Sequence, residues 1–420
     1  MYQRAKVICI VDAYSTGAEL APHFIAKGWQ CVHVQSCDPI PDTFASTFRH
    51  EDFVENIILD GRTTLVDVVQ GLSRFCPNVV IAGTETGVEL ADYLAGALKV
   101  DGNDAASSKL RRDKFEMQEA LRRNGLNSIA QMKARSSREA IEWAKSRNSW
   151  PVVVKPVDSA GADGVRFCNS ETDISEASDA IIGSISKLGI LNTAALVQER
   201  LVGQQYFINA VSMNGLHVFT EIWEDHKTEV SGAALICDRE ELLPFHGTVQ
   251  QSIITYMTEA LDVLGIMNGP SHSELMMTDN GPVLIETAAR MQGTILHEAV
   301  VGAIGDSHVT CTVERYVDPE HFLTRLERPY SLKCFLFCVT LASERSGRVV
   351  KNNCLSVLAM LPSFKAIFHT PKEGDEIERT IDLFSNPGII YLSHHSRAQI
   401  ESDYREIREL ERHGQLFTLA

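Results

Sequence analysis

Two lysines and two glutamates in this chain stand where their charge calls for a ligand. Lys155 closes the apolar run Val152-Val153-Val154 and is followed by Pro156. A covered strand does not end in an ammonium by preference, and an anionic ligand at its mouth would supply the counter-charge. Lys114 falls among Leu110, Met117 and Leu121 at helical spacing, on the side that should be packed. Ser107 or Ser108 can cap that helix, and Asn124-Gly125 can stop it. The plainer reading of Lys114 is a side chain that carries its charge out to water.

Glu274 and Glu286 flank Asp279-Asn280-Gly281, between the strand-like runs Ser273 to Thr278 and Pro282 to Thr287. A three-residue turn with Gly281 in the left-handed position pairs Thr278 with Pro282 and, counting outward, Glu274 with Glu286. Two carboxylates facing each other repel, which becomes sensible when a divalent cation sits between them, and hard oxygen ligands point to Mg²⁺. A solvated hairpin face is the plainer alternative. A two-residue Asn-Gly turn would instead shift the register by one and send the glutamates to opposite faces.

Two further segments gain meaning from position. Asp158-Ser159-Ala160-Gly161-Ala162-Asp163-Gly164-Val165 is a loop of small residues whose backbone N–H groups could close over phosphates, although no Walker Gly-Lys-Ser/Thr follows. Ala195 to Gly203 reads as a strand running into a polar connection, able to hold an adenine through its backbone or to be an ordinary strand end.

Taken in order, these segments resemble the ATP-grasp carboxylate-amine ligases: Asp113, Lys114 and Met117 in an Asp-Lys-x-x-Met helix, Lys155 in a Val-Val-Lys-Pro strand, a flap from Ser159 to Gly164, a hinge from Gln198 to Leu201, and two acidic strands ending in Arg290. The resemblance implies an ATP-grasp fold of mixed α/β and α+β class. It divides the chain into an N-terminal parallel α/β domain over 1–105, a small lid lobe over 106–197, and a large lobe with a C-terminal β-rich subdomain over 198–420. It implies ATP held by Lys114, Lys155, Ser159, Gly161, Gly164, Gln198, Glu199, Leu201 and Gln205, with Mg²⁺, or Mn²⁺ in its place, on Glu274 and Glu286.

With His272 two residues ahead of Glu274, the layout is most similar to the L-amino-acid ligases, the bacilysin-type dipeptide synthetases. That implies phosphorylation of one amino acid's carboxylate by ATP and attack of a second amino acid's amine on the acyl phosphate. Arg290 would stabilise the oxyanion of the tetrahedral intermediate, and His272 would orient the acceptor or take its proton. The plainer roles are an ion pair with a metal glutamate for Arg290 and a structural one for His272. Gln292, Thr294 and His297 correspond to a loop that borders the amino-acid pocket in relatives.

Two positions depart from the family pattern. Ala288 stands where Glu-x-Asn-x-Arg has its Asn, and Gln205 stands where many relatives carry a ribose-binding Glu. A Gln carbonyl can still accept. These departures keep two alternatives open, another ATP-grasp carboxylate-amine ligase and a non-catalytic nucleotide-binding sensor.

The elements that must position these residues are legible in outline. Lys6 to Asp12 and Asn78 to Gly83 predict buried strands, each followed by a helix, the first opened by Ser15-Thr16-Gly17 and the second spanning Val88 to Leu98. Ligands are then expected at strand ends such as Tyr14, Ser15 and Glu85. Lys333 to Leu341, Ser356 to Leu361 and Gly388 to Leu392 predict C-terminal strands, closed by a charged helix from Asp403 to Arg412.

A net charge of −16 over 420 residues argues against nucleic acid or an anionic membrane as a partner. Small amino acids are the expected partners, and a homodimer is an expectation by analogy alone. Ten scattered cysteines without paired metal spacing read as buried, reduced thiols of a cytoplasmic protein. The first apolar run is too short for a signal peptide or a membrane span.

Overall fold

The computed structural model describes residues 5–147, 150–157, 164–185, 191–229, 235–381 and 385–420. Val7–Val11 (β1), Gln30–Gln35 (β2), Glu55–Ile58 (β3) and Val79–Ala82 (β4) form a parallel sheet in the order β3-β2-β1-β4. β1 and β4 are buried along their whole length, as strands of a covered parallel sheet must be. A short 3-10 turn over Ser15–Glu19 leads into the helix Leu20–Ala26, and the helix Val88–Leu98 follows β4. The loops after β1 and β4 meet backbone to backbone: a Cβ on Gly17 would lie 2.2 Å from the Gly83 carbonyl oxygen, so only glycine fits.

Gln131–Ala134 (β5), Val152–Pro156 (β6), Arg166–Cys168 (β7) and Ala195–Glu199 (β8) make an antiparallel sheet in the order β5-β8-β6-β7. The helices Ser137–Arg147 and Glu171–Ile181 back it, with Ala140, Ala144, Ile174 and Ala177 packed on Val152, Val154 and Val197.

The third sheet has eight strands among the described residues. Gln204–Met213 (β9), Leu216–Glu229 (β10), Leu235–Leu242 (β11), Gly269–Thr278 (β12), Gly281–Ala288 (β13) and Phe335–Thr340 (β14) run in the order β13-β12-β9-β10-β11-β14, continued by Ile389–His394 and Phe364–His369. One face, with Ile208, Ile222, Leu275 and Leu284, packs on the helix Thr248–Val263. The other carries Phe207, Trp223 and Leu242 against the helix His297–Ile304.

Three expectations from the sequence need correction. Ser356 to Leu361 is not a strand: a helix occupies Cys354–Leu358, because the Asn352 side chain accepts from the Cys354 N–H at 2.9 Å and starts the turn. The closing helix begins earlier than Asp403, at Arg397, where the Ser396 side chain caps it. All ten cysteines are free, yet Cys37 and Cys76 are exposed. Among the described residues, no helix is long and apolar enough to cross a membrane.

Candidate active site

The helix carrying Lys114 spans Lys114–Arg123 and starts on Asp113, whose carboxylate accepts from the N–H groups of Phe115 and Glu116. Ser107 and Ser108 therefore do not cap it. They lie in a preceding 3-10 turn, Ala105–Arg111, and the Ser108 hydroxyl donates to Asp92. Asn124 ends the helix and Gly125 turns left-handed, φ 78°, as the sequence predicts. Gln118 ties the helix to β13 by donating to the Leu284 carbonyl at 2.8 Å. Lys114 is thereby held inside, 7% exposed, with Nζ 3.0 Å from a Glu286 carboxylate oxygen.

The hairpin pairs Glu274 with Glu286, though by another route than the expected three-residue turn. Gly281 is left-handed, φ 96°, but it pairs with Thr278, so the turn holds only Asp279 and Asn280. Carried through, that register would have separated the glutamates. A bulge between the Glu274 and Leu275 pairings leaves Ile285 unmatched and restores the partnership. β13 is the edge of its sheet, and neighbouring side chains take up its backbone there: Gln118 at Leu284 C=O, and the Tyr256 hydroxyl accepting from Leu284 N–H at 3.0 Å.

Lys155 lies near the end of β6, 5% exposed. Burial lowers its pKa to about 8, with Lys114 adding to the effect and Glu286 and Glu274 opposing it. Two ammonium groups and two carboxylates thus share one field. For Glu274, burial acts upward, but His272, Lys227 and Arg290 prevail and hold it at about 2. Gln205 donates to the second Glu274 oxygen at 3.1 Å.

Sequence reasoning missed Lys227 and Asp225. They lie on β10, on the face that carries Gln205 and Glu274, and their side chains pair at 3.0 Å. The Asp225 Oδ1 atom is buried without a hydrogen-bond partner. Little signal was available: the stretch Val218 to Trp223 includes Thr220 and Glu221, and Glu224 to His226 separate it from Lys227.

Arg290 reaches neither Glu274 nor Glu286. Its Nε donates to Glu85 at 2.7 Å and its Nη1 to the Met291 carbonyl at 2.9 Å. Glu85 also pairs with Arg112. Burial raises the Glu85 carboxyl, but Arg290, Arg112 and Lys114 outweigh it and hold the pKa at about 2. Glu85, Lys114, His272, Glu286 and Arg290 line one pocket. Of the other expected strand-end positions, Tyr14 is fully buried against Phe44, and Ser15, at φ 51°, donates its N–H to Thr47.

The remaining positions are more dispersed. Ser159 and Gly161 lie outside the described residues, and Gly164 is left-handed at φ 69°. Gln198 is buried and donates to Gln131, while Glu199 accepts from the Ala130 N–H, so both side chains fasten β8 to β5. Leu201 is half-buried in the connection that follows. Gln292 accepts from Asn209 at 2.8 Å, Thr294 is left-handed, and the His297 ring meets His23 edge-on at 4.8 Å. On the opposite face of the large sheet, Glu224, His226 and Glu241 gather ligand-type atoms, with the Arg397 guanidinium paired to Glu241.

The antiparallel lobe and the large sheet thus bring Lys155 and Lys114 into the field of Glu274 and Glu286. The ATP-grasp domain family matches residues 148–298. Dapdiamide A synthase of Enterobacter agglomerans is 32% identical over 418 residues, covering 97% of this chain and 96% of its own. An L-arginine-specific L-amino acid ligase of Bacillus subtilis is 21% identical over 215 residues, 51% of either chain. The crystal structure of an L-amino acid ligase from Bacillus licheniformis has the same fold, with a TM-score of 0.76 over 97% of this chain and 98% of its own at 19% identity. The chain belongs to the ATP-grasp family of ligases. It is an ATP-dependent carboxylate-amine ligase.

Proposed function

We propose that this ligase joins the carboxylate of one L-amino acid to the amine of another through an acyl phosphate, releasing a dipeptide, ADP and phosphate. The observation that carries the reading is the meeting of Lys114 and Lys155 with Glu274 and Glu286. ATP brings about four negative charges and the carboxylate a fifth, and phosphoryl transfer requires them to approach within bonding distance. Cations gathered for that purpose repel one another until the anion arrives. Glu286, 3.0 Å from Lys114, offsets that repulsion meanwhile, and Lys155 does so by giving up part of its proton affinity.

The two facing carboxylates fit a hard divalent cation, since each is an oxygen donor on one face of the hairpin. Mg²⁺ or Mn²⁺ on Glu274 and Glu286 would supply positive charge to the phosphate oxygens. Ser159, Gly161 and Gly164 would close over the phosphates through backbone N–H groups. The backbone of Gln198, Glu199 and Leu201 would hold the adenine, because both polar side chains are engaged elsewhere. The Gln205 carbonyl would accept from the ribose, since its amide nitrogen serves Glu274. Arg290, fixed by Glu85, keeps its charge and would stabilise the oxyanion as the amine attacks.

The experiment is ADP and phosphate release with Mg²⁺-ATP across a matrix of paired L-amino acids, with mass spectrometry of the products and a parallel trap with hydroxylamine. A dipeptide from a defined pair, with a hydroxamate in the trap, supports the reading. Carboxylate-dependent ADP and hydroxamate without any dipeptide would reassign the acceptor to another amine. Absence of carboxylate-dependent turnover from a nucleotide-binding protein would overturn the acyl phosphate.

A further inference from the structure

We propose that His272 is a third protein ligand of the divalent ion, binding through Nε2, with Asn209 as the positioning residue that holds its other ring nitrogen protonated. The inference rests on the reading of Glu274 and Glu286 as metal ligands.

The argument starts from Glu221, which accepts three hydrogen bonds on the large sheet. The Trp223 Nε1 and the backbone N–H of His308 can only donate, at 3.2 and 2.7 Å, so Glu221 stands as an acceptor. Asn209 presents its amide nitrogen to Glu221 at 2.9 Å and to Gln292 at 2.8 Å. Asn209 is fully buried, and its orientation is fixed by those two bonds. Its oxygen then faces His272 Nδ1 at 2.8 Å, which must carry the proton. In the neutral ring, the Nε2 lone pair points the other way, into the pocket shared with Glu286 and Ala288.

There Nε2 lies 3.7 Å from Glu274 Oε1, while the other Glu274 oxygen accepts from Gln205. At that separation the pair has no short direct bond, and a divalent cation between the two atoms would replace the weak attraction of a protonated ring for Glu274. Neighbouring ligands on an octahedral ion with bonds of about 2.1 Å stand roughly 3 Å apart, so a small inward turn of either side chain brings both into reach. The register adds space: His272 pairs across the hairpin with Ala288, whose methyl group leaves the imidazole room beside Glu286. A ring nitrogen bound outward and an N–H anchored inward by a polar relay is the usual arrangement of a metal-bound histidine.

The test is electron spin-echo spectroscopy of Mn²⁺ bound to the full chain with a non-hydrolysable ATP analogue, using protein with natural and ¹⁵N-labelled histidine. The expected result is a nitrogen coupling of a directly bound imidazole that changes with the label and disappears in His272→Gln. Mn²⁺ binding should weaken about 10- to 100-fold in Asn209→Ser, which removes the anchor. An imidazole also favours Mn²⁺ and Co²⁺ over Mg²⁺, so the Mn²⁺ to Mg²⁺ affinity ratio should fall in His272→Gln and stay low when the oxygen donor of Ala288→Asn is added. Mn²⁺ bound tightly without any histidine-derived coupling would overturn the role of His272 and leave the glutamate site intact. No bound Mn²⁺ with the nucleotide analogue would overturn both. The labelled wild-type protein separates these outcomes whether or not the variants fold.

Discussion

Arg290, two residues beyond β13, donates from Nε to Glu85 at 2.7 Å, joining the large sheet to the loop after β4 of the N-terminal sheet. The contact spans 205 positions of sequence and closes one wall of the pocket. Glu85 answers Arg112 as well, so one carboxylate serves two guanidinium groups near a third cation, Lys114.

Glu85→Gln keeps the shape and removes the charge, leaving those cations facing one another. Breaking a buried pair in this way costs roughly 3–5 kcal/mol, and urea denaturation at pH 7 should show a loss of that order. The pH dependence has a definite sign. Glu85 titrates at about 2 in the folded chain, below the unfolded value of about 4.3. Its stabilisation is complete above about pH 4.3 and is lost as the pH falls toward 2. Wild-type stability should decline through that window more steeply than that of Glu85→Gln.

Lys155 predicts the opposite trend. Its folded pKa, about 8, lies below the unfolded value of about 10.4, so between those limits the unfolded chain binds the extra proton. Stability of the ligand-free protein should therefore rise with pH across that interval. Lys155→Met should be more stable than the wild type at pH 7, on the order of 1–3 kcal/mol, while its ATP turnover collapses. Binding of ATP should restore the lysine's affinity for its proton, seen as proton uptake near pH 8 by calorimetry in buffers of different ionisation enthalpy. Nucleotide binding without proton uptake would argue against contact between Lys155 and the phosphates.

The lysines and the hairpin were readable from the sequence because each breaks a local pattern: an ammonium closing an apolar strand, an ammonium on an apolar helix stripe, two carboxylates flanking a turn. The Arg290–Glu85 pair was not, since no periodicity links positions from two sheets. Glu274 and Glu286 meet through compensating errors of register, a shorter turn and a bulge, and neither is visible without knowing that Gln118 and Tyr256 take up the edge of β13. Cys354–Leu358 differs from expectation because Ser-Val-Leu carries no helical period of its own, and the turn that leads into the helix is set by the side chain of Asn352.

Removal of the metal should silence the enzyme. After chelation, carboxylate-dependent ADP formation is expected to vanish and to return with Mg²⁺ or Mn²⁺. Glu286→Gln should lower turnover by about 10²-fold or more. Steady-state assays across a metal titration would check this, and unchanged turnover in Glu286→Gln would remove it from the metal site.

Gln205→Glu sets a second negative charge where an amide now donates to Glu274. The ligand-free variant should lose about 1–2 kcal/mol by forfeiting that bond and adding like-charge repulsion. Saturating Mg²⁺ or Mn²⁺ should return most of it, since a cation reverses the sign of the interaction. Thermal melts with and without metal would measure the difference.

The contact between Gly17 and Gly83 bears on how such a ligase could acquire new substrates. That contact is bare main chain, and any side chain added to Gly17 would strike the Gly83 carbonyl and push the loops after β1 and β4 apart. Variation is open instead to side chains on the neighbouring loops, where Ser15 approaches the Gly293 backbone and Thr294 and His297 follow. A repertoire of ligases could then descend from one scaffold whose foundation stays constant while a few exchangeable side chains drift above it, and directed-evolution libraries are best confined to those positions.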